Sequence, residues 1–198
     1  MKEFVTFGYS YKELSDVAKE KVKEWYLNDP MRIDLFYECI KNDLTENFYN
    51  SHLDIEFSLN NCQGDGLNIY GDINLLDFLN KWDETTENKN EMKIILNHSQ
   101  FVPWYTFKKN NRYGYSCKFI DKKYIEDYVE EMDVVPEHVE KRKLIKQFYL
   151  DMIDYFEDLD KQFEKSGYKY LYECDEEEVQ DFCESNDYYF TEEGEFIG

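Results

Sequence analysis

A chain that holds 18 Tyr, 15 Phe and 3 Trp and yet carries a formal net charge of −21 has few ways to fold. The aromatic side chains call for burial, and the carboxylates must stay in water, so each helix and strand has to be two-faced. Acidic disordered chains are poor in aromatic residues, so this composition predicts an ordered chain. Only eight Gly and three Pro are present, which leaves little material for linkers. A length of 198 residues predicts one domain.

The charge also restricts partners. With 44 Asp and Glu against 23 Lys and Arg, the field repels phosphate backbones and anionic membranes. Direct nucleic-acid binding and membrane attachment are therefore not expected. The N-terminal MKEFVTFGYSYKEL has no apolar signal region, and no apolar run reaches the ~20 residues of a membrane span. Cys39, Cys62, Cys117, Cys174 and Cys183 are scattered without a CxxC pair, which fits reduced thiols in a cytosol.

Periodicity predicts the elements. Residues 3–8 read as a short strand. Ser10 and Glu13 have capping-box spacing, ahead of a helix with Leu14, Val17, Ala18, Val22 and Trp25 on one face. Asp29-Pro30 ends it, and a second helix carries Ile33, Phe36, Tyr37, Ile40, Leu44 and Phe48. Leu53, Ile55, Phe57 and Leu59 then alternate, as do Leu67, Ile69 and Ile73. Gly64-Asp65-Gly66 between them predicts a hairpin. A short helix around Leu75–Trp82 and a polar loop over 83–91 follow. A second hairpin is expected from 101–107 and 113–120, turning at Lys108–Arg112, with a helix over roughly 121–132. The longest helix is expected at about 137–165, with Leu144, Ile145, Phe148, Met152, Tyr155, Phe156, Leu159 and Phe163 inward and Ser166-Gly167 ending it. Tyr168–Tyr172 reads as a strand, Asp175–Glu184 as a short helix, and 188–197 as a small hairpin.

The expected fold is therefore α+β: antiparallel hairpins packed against several helices, one of them long, acidic and amphipathic. Residues 1–120 form the expected core with two hairpins. Residues 121–198 form an acidic helical region ending in a small hairpin, the whole making one compact unit. The first segment has 19 acids and 14 bases, the second 25 acids and 9 bases.

The acids fall in rows. Asp151, Asp154 and Asp158 share one side of the long helix, and Glu157, Asp160 and Glu164 share another. Such steps place carboxylates ~5–6 Å apart. Phosphates on one DNA strand are spaced roughly 6–7 Å apart, so these rows suit a basic groove built for nucleic acid. They suit equally a merely solvated face opposite the aromatic stripe. Asp175, Glu176, Glu177 and Glu178 form a second cluster, which also fits an ordinary helix start where acids oppose the macrodipole.

No pattern points to catalysis. The Gln63–Gly66 loop lacks the lysine of a phosphate loop and the Asp ladder of an EF-hand. His52, His98 and His138 lie far apart, without paired cysteines, so neither a metal nor a cofactor is expected. The expectation is a binding protein and not an enzyme.

Two stretches add a resemblance. Glu13-Leu14-Ser15, Ala18-Lys19, Lys21 and Trp25 lead into the Gln63-Gly64-Asp65-Gly66 hairpin. Phe190, Glu192 and Gly194 close the chain. Together they resemble a set of phage and prophage proteins that share an ELS..AK.KA..W helix, a QGDG hairpin and an F.E.G ending. The likeness covers about the first 70 residues and the last 30, and leaves 75–165 unmatched. It implies an accessory protein of a mobile element, acting in the host cytosol. By analogy with small acidic proteins of such elements, the expected role is inhibition of a CRISPR–Cas nuclease by a DNA-mimicking surface. The expected partner is then a basic nucleic-acid-binding protein, most directly a Cas effector. The alternative is an antitoxin-like or regulatory module that neutralises a basic protein of the same element.

Overall fold

In a computed structural model, residues 7–62, 64–98, 101–108, 127–130 and 136–198 are described. The fold is α+β: the described residues form helices and a three-stranded antiparallel sheet. The chain divides into two compact units. One comprises Met1–Phe36 with Ser166–Gly198, and the other Tyr37–Lys165.

In the first unit, the Ser10 backbone N–H and hydroxyl donate to Glu13 Oε2 at 2.9 and 2.8 Å. This box opens only a 3-10 turn, Tyr11–Glu13. Helix α1, Asp16–Leu27, has its own cap, Ser15, which accepts from the Ala18 N–H. Val17, expected inward, is 75% exposed, and Tyr26 is buried instead. Helix α2, Met31–Asn47, runs from this unit into the second. Its inward row is Arg32, Phe36, Ile40 and Leu44, at steps of four, with Phe48 buried just past its end, while Ile33 is exposed.

The second unit holds the sheet. Strands β1, His52–Ser58, and β2, Gly66–Asn74, pair antiparallel with Ile55 opposite Ile69. The turn is held by Asp65, which accepts from the N–H groups of Asn60 and Cys62 at 2.6 and 2.8 Å and from the Ser58 hydroxyl at 2.9 Å. Gly64 supplies a φ of 100°. Strand β3, Trp104–Phe107, adds to the far edge of β2, from Gly71 to Asn74. The expected partner strand at 113–120 and the turn from 109 lie outside the described residues, as do 3–6 of the expected first strand.

Helix α3, Leu75–Lys81, follows β2 directly. Asp77, 2% exposed, accepts from the Asn50 N–H and the Ser51 hydroxyl, tying α3 to the turn before β1. The polar stretch expected to be a loop begins helix α4, Thr86–Leu96, capped by Thr85. Its apolar residues, Met92, Ile95 and Leu96, arrive only in the last turns, so the helix has no stripe at its start. Residues 127–130 are helical, and a 3-10 turn spans Pro136–Lys141.

Helix α5, Arg142–Tyr172, is 31 residues long. It does not stop at Ser166-Gly167, and Tyr168–Tyr172 is helical, not a strand. Gly167 is buried within the helix, and Tyr168 stacks on Tyr172 across one turn at 6.1 Å. In the second unit, Phe148 meets Phe78 and Trp82 at 5.1 and 5.0 Å, and Phe156 meets Phe48 at 5.2 Å.

Helix α6, Glu176–Ser185, lies in the first unit and is capped by Asp175, which accepts from the Glu178 N–H at 2.8 Å. Val179 and Cys183 face inward to Tyr11, Leu14, Ala18, Val22, Tyr26 and Phe190. The closing hairpin forms as expected. Phe190 bridges Phe196, and on its other side Tyr9, both antiparallel. Trp25 stacks on Phe196 at 5.0 Å and meets Phe190 edge-on at 5.7 Å.

Candidate partner-binding surface

The ten carboxylates expected to bind a partner fall in different units. Asp151, Asp154, Glu157, Asp158, Asp160 and Glu164 belong to the second, and Asp175, Glu176, Glu177 and Glu178 to the first. Each set has its own surroundings.

On α5 the row is shorter than periodicity suggested. Asp160 is fully buried, and its Oδ1 accepts the Ile69 N–H at 2.9 Å. Strand β3 pairs β2 only from Gly71 onward, and Asp160 satisfies the Ile69 N–H of β2. It continues the inward steps Met152, Phe156, Asp160, Phe163. Asp151 is half-buried and also works inside the unit. Its Oδ2 accepts from the Trp82 indole N–H at 2.7 Å, and its Oδ1 from Gln147 at 2.7 Å. Asp154 and Asp158 are exposed, and Asp158 pairs with Lys161 at 3.1 Å. Glu157 and Glu164 are half-buried.

In the first unit the cluster is split by role. Asp175 caps α6. Glu176 pairs with Lys19 at 2.6 Å, and that hydrogen bond holds its carboxyl below the ordinary range. Glu178 accepts from the Tyr26 hydroxyl at 2.7 Å and from Arg32 at 3.4 Å. Burial first, and then this bond, push the Tyr26 phenol well above its ordinary value. Glu184 pairs with Lys12 at 2.6 Å. Glu177 and Asp181, one turn apart on the outer side of α6, are exposed and have no ion pair among the described residues.

From Tyr170 to Gly198 the chain carries eleven carboxylates and no Lys, Arg or His. Every one of the eleven is exposed. Glu184, Glu176 and Glu178 meet Lys12, Lys19 and Arg32; Asp181, Asp187, Glu192, Glu193 and Glu195, beyond the expected cluster, are exposed and have no ion pair among the described residues. The composition of this stretch was the signal that could have found them.

A cleft of about 510 Å³ lies where α5 gives way to α6, lined by Ser166, Lys169, Tyr170, Glu173, Cys174, Asp175 and Glu178. Burial, and then the nearby Glu178, push the Cys174 thiol up, which lowers its thiolate fraction and its nucleophilicity. Burial raises Cys183 to about 11. Among the described residues, no three His, Cys, Asp or Glu side chains are grouped to hold a metal ion. None of the described helices is long and apolar enough to cross a membrane.

The residues of the ELS..AK.KA..W helix, the QGDG hairpin and the F.E.G ending have internal tasks. Leu14, Ala18, Trp25 and Phe190 pack in the first unit, and Asp65 holds the β1–β2 turn. No protein-family model, no curated protein and no solved structure matches this chain.

Proposed function

We propose that this protein is a phage-type inhibitor of a host nucleic-acid-targeting nuclease, most directly a CRISPR–Cas effector. It acts by binding and not by catalysis, in the host cytosol. Its acidic surface occupies a basic groove that otherwise holds DNA. One observation carries this reading: the last 29 residues expose eleven carboxylates with no cation among them. Like-charge repulsion of that density opposes folding, and a basic partner groove relieves it. The exposed Asp154 and Asp158 on α5 extend the acidic character to the second unit. The resemblance to phage proteins supports the biological setting.

The test is co-purification of the full chain with a panel of Cas effectors, followed by competition with target DNA. A bound effector that loses its DNA, with an affinity that drops as salt rises from about 0.05 to 0.2 M, is expected. Capture of a small basic protein of the same element instead would favour the antitoxin-like alternative. A stable complex of inhibitor, effector and DNA together would contradict groove occupancy.

A further inference from the structure

We infer that the outer face of the closing hairpin, built on Tyr189 and Ile197, is the anchor that takes an arginine-rich surface of the basic partner. The inference rests on the reading of a basic partner and moves the contact of highest energy away from the acidic rows. Tyr189 donates its N–H to the Gly198 carbonyl and accepts from the Ile197 N–H, both at 2.9 Å. Phe190 bridges Phe196, so Tyr189 and Ile197 stand directly opposite each other. Side chains alternate along a strand. Phe190 is fully buried on the inner face, and Tyr189 and Ile197 point outward, 48% and 43% exposed.

The pair is held from behind. A Cβ at Gly8 would lie only 3.0 Å from the Tyr189 Cβ, so the neighbouring strand's backbone rests against Tyr189. An anchor held in place loses little freedom on binding. Within the described residues 186–198 the charged side chains are all acids: Glu195 on the same face, Glu192 and Glu193 at the turn, and Asp187 before the strand, all exposed.

This chemistry selects its occupant. A guanidinium stacks on a tyrosine face, and its carbon stem covers an isoleucine, while its charge meets the rim carboxylates. An apolar centre inside a charged rim excludes water and strengthens those pairs. A second copy of this chain would bring a second acidic rim against the first, which opposes self-association.

The test uses the full chain and two probes, peptides of about twelve residues that alternate Gly with Arg or Gly with Lys, at about 0.15 M salt. Calorimetric affinities are compared for wild type, Y189S/I197S, Tyr189→Leu and D154N/D158N, with circular dichroism confirming each fold. The arginine peptide is expected to bind about 3-fold or more tighter than the lysine peptide. Y189S/I197S is expected to weaken it about 10-fold or more, and by more than D154N/D158N does. Tyr189→Leu keeps the apolar bulk and is expected to abolish the preference for arginine, which tests the anchor even if the double variant does not fold. Binding unaffected by Y189S/I197S and by Tyr189→Leu overturns the anchor. Loss confined to D154N/D158N also overturns it, while leaving the basic-partner reading intact. A wild-type dimer that Y189S/I197S dissolves would assign the face to self-association and overturn the inference. A wild-type chain that binds neither peptide overturns the anchor, whereas failure to displace DNA from any effector would overturn the function on which it rests.

Discussion

A Cβ at Gly194 would lie 2.4 Å from the carbonyl oxygen of Ala18, so the closing hairpin rests its backbone directly on α1. Gly194 also has a φ of 85°, where an L side chain is strained. Gly194→Ala should therefore destabilise the first unit by about 2–4 kcal/mol, since neither backbone can give way cheaply. Gly71 makes the same demand in the second unit: its Cβ would lie 2.2 Å from the His52 oxygen at a φ of 112°. Denaturant titration of each alanine variant checks this. Midpoints equal to wild type would contradict the close approach.

Arg32 is 3% exposed and lies between the rings of Tyr26 and Tyr170, 4.2 and 4.5 Å from their centres. It donates to the Tyr170 carbonyl and to Glu178. Arg32→Met should cost about 2–3 kcal/mol, because it strips a charged donor from partners that stay in place. Arg32→Lys should recover only part of that, since an ammonium cannot offer a flat face to two rings. Full recovery by lysine, read from unfolding curves, would mean that charge alone matters.

Asp151 and Asp158 should respond in opposite ways. Removing the Asp151 carboxylate leaves the indole N–H of Trp82, a residue 2% exposed, without its acceptor. Asp151→Ala should lower stability by about 1–3 kcal/mol. Asp158→Ala removes an exposed pair with Lys161 and should shift stability by less than about 1 kcal/mol. Thermal melts separate the two, and equal effects would contradict the internal role of Asp151.

Asp54 links stability to pH. Burial is the largest single influence on it and would raise its pKa. Hydrogen bonds from Tyr37, Lys41 and the Ile55 N–H together outweigh burial and hold the carboxyl below its ordinary value. A depressed carboxyl adds stability that is present above the ordinary value, ~4, and lost as pH falls through the depressed one. Asp54→Asn should thus be less stable than wild type at about pH 7, with the gap closing below about pH 4. Melting temperatures across that range check the sign, and a gap that widens on acidification would contradict it.

Much of this architecture is readable from the residues, and the failures have physical causes. The β1–β2 hairpin is written in the alternation of Ile55 and Ile69 with their neighbours and in the Gly64–Gly66 turn. The four-residue steps of α2 were partly misassigned because Ile33 looks like core and Arg32 does not. Yet two tyrosine rings and a carbonyl make Arg32 the buried one. Ser166-Gly167 resembles a helix stop, but Gly167 is buried within α5, which runs on to Tyr172. On the surface, spacing alone placed Asp160 in a solvated row. The buried carboxylate there accepts the Ile69 N–H of β2. The exposed acids of α6 and the hairpin were visible as composition, but which of them meet Lys12, Lys19 and Arg32 depends on packing between segments far apart in sequence.

The most direct test of the account is the affinity of a captured Cas effector for wild type and for E177K/D181K, at two salt concentrations. These two side chains stand on the outer side of α6, opposite Val179 and Cys183, so the fold should survive the reversal. If the carboxylates stand where phosphates otherwise lie, each reversed pair costs on the order of 1–3 kcal/mol, and affinity should fall about 30-fold or more. Wild-type binding should also weaken steeply with salt. An unchanged affinity with no salt dependence, in a variant that circular dichroism shows to be folded, would contradict the acidic-mimic account.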